Sequence, residues 1–282
     1  VSAIYRSPAG ERAIRDRYRR DLDAWPVPVE HRRVPTRQGE TFVVVCGPRD
    51  APPVVLLHGS GANTSAWRED AAVLARRNRV HCVDLVGEPG LSAPSRPPLD
   101  SDALSAWLDE VLDGLGIGGT ALVGTSLGGW VALDHAVRRP ERIRALALLC
   151  PGGLGRQTTE RILAALLPRL FGARGRRRSV RAVTGLRDPE DREVLDAVQE
   201  TFSGFRPRTE RLPVFSDDAL RGLAMPTLVI VGDRDAMFDS RGTVRRVRAL
   251  VPHAAVTVLP GTGHAILGQG ETLSAFLADA AG

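Results

Sequence analysis

Six short apolar runs, most of them followed by a segment with helical spacing, leave this chain few folds. They are Val54 to Leu57, Val80 to Leu85, Ala121 to Val123, Ala145 to Leu149, Thr227 to Val231 and Val256 to Leu259. A strand wetted on one face alternates apolar and polar residues. A continuous apolar run is buried on both faces, as in a parallel sheet. Helical patterns follow through about Arg76, at 101–115 (Leu104, Trp107, Leu108, Val111, Leu112), at 127–139, at 240–250 and at 271–280. Such alternation predicts an α/β protein with a mostly parallel central β-sheet flanked by helices.

Two stretches depart from the alternation. Near the start, Ile14, Tyr18, Leu22 and Trp25 recur at four and three residues, one face of an amphipathic helix that Pro26 and Pro28 end. Strand-like runs at 31–37 and 41–47 follow, with a hairpin turn predicted at Gln38-Gly39-Glu40. Later, residues 152–222 show no strand of the apolar type. They read as short helices at 158–170 and 189–204 with an Arg-rich turn between. The expected organisation is an N-terminal helical segment at 1–30, a core at 31–151 and 223–282, and a helical cap inserted at 152–222. With 282 residues and 43% hydrophobic content, one domain of this kind can bury a large core.

The net charge of +5 comes from arginine, since the chain has no lysine. Together with abundant Ala, Gly and Pro this reads as coding bias, so no nucleic-acid partner is expected. No apolar stretch nears the ~20 residues that span a bilayer, and the start lacks a signal-peptide pattern, so no membrane partner is expected. Cys46, Cys82 and Cys150 are odd in number, sit in apolar runs and lack metal-ligand spacing. They read as reduced core thiols of a cytoplasmic protein. Neither a metal nor an organic cofactor is expected, and the sequence carries no mark of oligomeric state.

Where the Ala121–Val123 run stops, the chain reads Gly124-Thr125-Ser126-Leu127-Gly128. Glycines two positions either side of a serine mean a turn too sharp, or a helix too close, for side chains. Ligands of open α/β sheets bind beyond the carboxyl ends of the strands, where this serine lies. The free N–H groups of the following helix point at the same place. G-x-S-x-G of this kind is a nucleophile elbow, although a glycine-rich turn with a capping serine would look similar.

A serine needs a base to become a strong nucleophile. His31 and His81 lie inside strand runs, His135 mid-helix and His253 at a helix end. His58, before a glycine-rich loop, reads as shaping that loop. His264 follows Pro260-Gly261-Thr262-Gly263 just after the last strand, at the sheet edge of Ser126. The base needs an acid to fix its tautomer. Asp233 and Asp235 follow the penultimate strand, and one of them is expected to cap its loop. Asp239 reads as the cap of the next helix. The order Ser126, Asp235, His264 is the order expected for this elbow.

Residues 58–61 (HGSG), 124–128 (GTSLG), 232–235 (GDRD) and 261–264 (GTGH) together make the chain resemble capped proteins of the α/β-hydrolase fold over nearly its whole length. The resemblance implies that Asp235 is the acid of the triad. It also implies an oxyanion hole from the backbone N–H groups of Ser60 and Leu127, and hydrolysis as the activity. Two departures stand out. The loop after Asp84 reads Val86-Gly87-Glu88-Pro89-Gly90-Leu91-Ser92, with Glu-Pro inserted, and is expected to line the cleft and bear on specificity. His264 is followed by Ala265-Ile266 where many relatives carry an aromatic.

The cap would cover the triad. Its stripe of Ile162, Leu163, Leu166, Leu167, Leu170 and Phe171 is core or substrate contact, with Leu166 and Leu167 the substrate-binding candidates beside Gly59, Gly61 and Trp67. Trp130 reads as packing within its helix. Arg174, Arg176, Arg177, Arg178 and Arg181 read as a solvated turn, or else as a dock for an acidic or phosphate-bearing partner. The expected partner is a small acyl substrate, an ester, lactone or thioester, cleaved through an acyl-enzyme. The HGSG loop also resembles that of C–C bond hydrolases acting on ring-cleavage products. A non-hydrolytic natural-product enzyme and a ligand-binding protein remain as readings of another class.

Overall fold

The computed structural model describes residues 4–158, 160, 172–187 and 189–280. Eight strands form one sheet: β1 (Val29–Thr36), β2 (Gly39–Cys46), β3 (Pro53–Leu57), β4 (Arg79–Val83), β5 (Thr120–Thr125), β6 (Ile143–Leu149), β7 (Thr227–Gly232) and β8 (Ala255–Leu259). Their order is β1-β2-β4-β3-β5-β6-β7-β8. β2 is antiparallel to both β1 and β4, and every other pairing is parallel. The β1–β2 turn falls at Arg37-Gln38, one residue ahead of expectation, because Thr36 pairs with Gly39.

Strands β2 to β7 are buried on both faces, while the edge strands β1 and β8 are mostly half-buried or exposed. Val55, Leu57, Leu122, Leu146, Leu148 and Val229 pack into one apolar cluster. Val54, Leu56, Val123, Ala147, Leu149 and Ile230 pack into another. Neighbouring residues go to opposite faces of a strand, and both sets are apolar, so the runs do not alternate. The first cluster includes Trp107, Leu108, Trp130 and Leu133 of helices α3 (Ala103–Gly114) and α4 (Leu127–Arg138). The second includes Tyr18 and Leu22 of α1 (Pro8–Asp23), Leu74 of α2 (Arg68–Leu74) and Leu273 of the C-terminal helix (Gly270–Asp279). Cys46, Cys82 and Cys150 are free and buried.

Between β6 and β7 the described residues include α5 (Gly172–Thr184), α6 (Arg192–Gly204) and α7 (Asp217–Arg221). After β7 come α8 (Ser240–Leu250) and the C-terminal helix, α9. The arginine run is therefore helical and not a turn. α5 buries Gly175 and Ser179, four residues apart, and turns its arginines outward. α6 packs on α1, with Arg17 paired to Glu200 at 3.1 Å. Gly10 and Gly204 meet so closely that a β-carbon on Gly10 would lie 2.9 Å from Gly204 Cα. Among the described residues no helix is long and apolar enough to cross a membrane.

Candidate active site

β5 delivers Ser126 at its end, and α4 begins at the next residue. Ser126 has φ 53° and ψ −110°, a conformation that costs a non-glycine residue of order 1–3 kcal/mol. The flanking glycines permit it. A β-carbon on Gly124 would lie 2.7 Å from Gly129 Cα, and one on Gly128 would lie 2.5 Å from His58 O. Ser126 occupies the N-cap position of α4, yet its side chain makes no capping hydrogen bond. A capping serine is thus not what the turn holds. Ser126 Oγ instead lies 2.9 Å from His264 Nε2.

His264 Nδ1 lies 2.9 Å from Asp235 Oδ2. The carboxylate is fixed from behind, since its Oδ1 accepts the N–H groups of Met237 at 2.6 Å and Phe238 at 3.1 Å. An ionised Asp235 requires the ring proton on Nδ1, which leaves Nε2 to accept from the serine hydroxyl. The pKa of His264 is raised well above its ordinary value. Burial opposes the imidazolium, but the Cys150 sulfur and the Asp235 carboxylate beside the ring outweigh it. Of the other acids, Asp233 is exposed and Asp239 caps α8 by accepting the Gly242 N–H at 3.0 Å. The Phe238 ring stands 5.3 Å from the His264 ring, so an aromatic wall comes from the loop after β7.

The other histidines stand apart from this relay. His58 Nε2 accepts the Leu85 N–H at 3.0 Å, so Nδ1 carries the proton and donates to Gly59 O at 2.9 Å. Burial pulls its pKa down to about 4 and keeps it neutral. His58 therefore braces the 58–61 loop. His81 is buried in β4, with its pKa lowered to about 4 by burial first and by Arg79. His135 of α4 is buried against Ser105 of α3, and His253 meets Met225 O.

Two backbone segments border the serine. Leu127 is the first residue of α4, so its N–H has no partner within the helix. On the other side, a β-carbon on Gly59 would lie 3.4 Å from Ser126 Cβ. Gly61, at φ 73°, sits under α6, where a β-carbon would come within 2.7 Å of the Phe202 ring. Beneath the loop, Glu88 Oε2 accepts the Gly61 N–H at 2.6 Å and the Ser60 hydroxyl at 3.1 Å. Gly59 and Leu127 thus flank Ser126, and Ser60 and Gly61 continue the loop from Gly59.

Trp67 does not join them. It is 3% exposed and packs in the core with Tyr18, Leu22, Trp25 and Leu74. A side chain enclosed by α1 and α2 fills the core, which corrects its expected place on the cleft wall. Leu166 and Leu167, with the rest of their stripe, lie outside the described residues. Trp130 donates to Pro213 O at 2.8 Å and stacks near Phe215, as packing. The outer face of α5 bounds an open hollow of ≈ 610 Å³ with Arg174, Arg177, Arg178 and Arg181, and no member of the relay lines it. Arg177 pairs with Asp196 of α6. Among the described residues no group of His, Cys, Asp and Glu is arranged to hold a metal ion.

The Glu88 loop was expected to line the cleft, and Glu88 lies against Ser60 and Gly61. Phe202 on Gly61 and Phe238 beside His264 were not legible, since an aromatic on each of two segments was their only signal.

A model described as "Alpha/beta hydrolase family" matches residues 54–276. Carboxylesterase YbfK from Bacillus subtilis is 28% identical, over 88% of this chain and 86% of its own length. Its crystal structure superposes with a TM-score of 0.79, covering 96% of this chain and 98% of that one, at 25% identity. Naproxen esterase from Bacillus subtilis superposes with a TM-score of 0.80 at 26% identity, covering 96% of each chain. 2-Hydroxy-6-oxo-6-phenylhexa-2,4-dienoate hydrolase from Rhodococcus sp. strain RHA1 gives 0.67 at 25% identity, over 90% of this chain and 99% of that one.

Proposed function

Because the chain belongs to the alpha/beta hydrolase family and is homologous to carboxylesterases over most of its length, we propose that it is a serine hydrolase of small carboxylic esters acting through an acyl-enzyme. The relay Ser126–His264–Asp235, with both contacts at 2.9 Å and the serine on a strained elbow, carries this reading.

Ser126 Oγ attacks the carbonyl carbon while His264 Nε2 takes the hydroxyl proton. The C=O bond opens to an oxyanion, held by the N–H groups of Leu127 and Ser60. Such donors act because they are already oriented when charge develops, and each is worth about 3 kcal/mol. His264 returns the proton to the leaving alcohol as the C–O bond breaks. A water, deprotonated by the same ring, attacks the acyl-enzyme carbonyl, and the ring returns that proton to Ser126 Oγ as the Oγ–acyl bond breaks and the acid leaves. Asp235 holds the ring and offsets its charge without taking the proton. Lactones and thioesters react by the same steps.

Residues 152–222 serve as the cap, with Phe202 of α6 above the oxyanion loop. The buried thiols fit a reducing, cytoplasmic setting. C–C bond hydrolysis is the second reading, favoured by the HGSG loop and the likeness to the phenylhexadienoate hydrolase. A fluorophosphonate probe followed by intact mass tests the proposal. One adduct is expected on the parent, none on Ser126→Ala and a slowed one on His264→Ala. A folded parent that takes no adduct would sink it. Turnover of short p-nitrophenyl esters against vinylogous 1,5-diketones then separates the two readings.

A further inference from the structure

We infer that Glu88 is a positioning residue of the oxyanion loop: its buried carboxylate takes up the Gly61 N–H and the Ser60 hydroxyl and so holds the Gly59–Ser60 peptide at its place beside Ser126. This rests on the acyl-transfer reading above, in which the Ser60 N–H is an oxyanion donor.

The loop needs a holder. Gly59 and Gly61 leave its backbone free to move, and Gly61 already stands at φ 73°. Within the loop, the Ala62 N–H reaches Gly59 O at 3.2 Å and the His58 ring braces the same oxygen. Both fix Gly59 and leave the following peptides to other contacts. Glu88 supplies these. Its bond to the Gly61 N–H, at 2.6 Å, is the shorter of the two it makes. That bond also takes the Gly61 N–H out of use as an oxyanion donor.

Loop capping does not explain Glu88. The loop after β4 closes without it, through the backbone bonds Glu88 N–H to Leu85 O, Gly90 N–H to Glu88 O and Gly87 N–H to Ala93 O, and through Asp84, whose Oδ2 accepts the Leu91 N–H at 2.7 Å and whose O accepts the Ser92 hydroxyl at 2.7 Å. Both bonds of the carboxylate leave that loop and reach residues 27 and 28 positions earlier. Glu88 is 1% exposed, and its Oε1 is buried with no hydrogen-bond partner. A carboxyl in this state is costly to keep unless its other oxygen does something. Two guanidiniums temper its charge. Arg96 donates from Nε to Gly87 O at 3.1 Å, and Arg208 donates from Nη2 to Pro97 O at 3.1 Å. Burial raises the carboxyl to about 7, and the Gly61 N–H, Arg96, Ser60 and Arg208 pull the other way.

The test uses the full chain with Glu88→Ala, Glu88→Gln and Glu88→Leu, a short p-nitrophenyl ester and a thermal midpoint for each. Alanine removes the acceptor. Leucine removes it while filling the space, and stands in if alanine does not fold. Glutamine keeps a carbonyl for the Gly61 N–H. The alanine or leucine variant is expected to lose about 10²-fold in kcat, the scale of a misplaced catalytic group, with KM within about twofold. Glutamine is expected to recover kcat to within about fivefold of the parent. An unchanged kcat in both acceptor-less variants overturns the inference. So does a rise in KM alone, or a glutamine variant as slow as leucine. Fluorophosphonate labelling separates the layers. A parent that does not label removes the acyl-transfer reading and this inference with it. A parent that labels at the same rate as the leucine variant removes only the role of Glu88.

Discussion

Adding one methyl group at Gly128 should unseat the elbow. Gly128 lies in the first turn of α4, where the helix passes the end of β3. A β-carbon there would stand 2.5 Å from His58 O and closer still to Leu57 O, against an ordinary contact of 3.4 Å or more. The helix and the strand must part by about 1 Å, and neither obstacle is a flexible side chain. Overpacking costs about 1–3 kcal/mol, and a clash with backbone on a central strand belongs at the upper end. Alanine returns at most about 1 kcal/mol through its better helix propensity. The net is a loss of about 2 kcal/mol, or roughly 4–8 °C in Tm. The same 1 Å moves Ser126 Oγ relative to His264 Nε2, so labelling by a fluorophosphonate should slow by about 10²-fold. Gly118→Ala is the control, with nothing within 4 Å of the new β-carbon and no positive φ. Scanning fluorimetry and the pseudo-first-order labelling rate read both effects. A Gly128→Ala protein with the parent's Tm and labelling rate would refute the argument that close approach dictates this glycine.

The base must be neutral to accept the serine proton, and the pKa of His264 is raised, so kcat/KM should fall as pH drops through a limb lying above 6.5. Asp235→Asn should cost on the order of 10⁴ in kcat and move that limb to lower pH, read from pH–rate profiles; a limb that stays put would assign it to another group. Ser126→Gly relieves about 1–3 kcal/mol of strain and adds about 0.5–1 kcal/mol of glycine entropy, so Tm should rise by roughly 2–3 °C while labelling disappears. A lower Tm would count against stored strain at the elbow. Trp67→Phe should lower stability by about 1–2 kcal/mol in a urea titration and leave KM unchanged, because the indole packs in the core. A shifted KM would return that side chain to the cleft.

The sheet was legible because parallel strands buried on both faces cannot alternate. Thr227–Gly232, buried at every position, falls within a residue of the run that announced it, and so does the edge strand Ala255–Leu259, although it is not buried. Ser126 and His264 were legible because glycine-rich turns at strand ends have few other uses. Asp235 required the resemblance, since Asp233 stands two residues away with the same side chain. α5 was misread as a turn because its buried face is Gly175 and Ser179, which give no apolar period, while its arginines mimic a solvated loop. Trp67 lies in a single 3₁₀ turn, Thr64–Trp67, too short to show which way a side chain faces. Glu88 reaches its partners across 27 residues, and no local pattern encodes such a contact.

The seam between α1 and α6 constrains how such a molecule can be recombined. The Arg6 N–H donates to Gly204 O, the Arg206 N–H to Ile4 O, and Gly10 and Gly204 exclude a side chain from each other. Phe202, two residues before Gly204, rests on Gly61. The roof over the 58–61 loop is therefore keyed to a helix almost two hundred positions away and outside the insertion. An insertion grafted from a relative would arrive without its counterpart. A chimera should keep its cleft only if the first two dozen residues travel with the cap, which makes these two distant stretches one unit of inheritance.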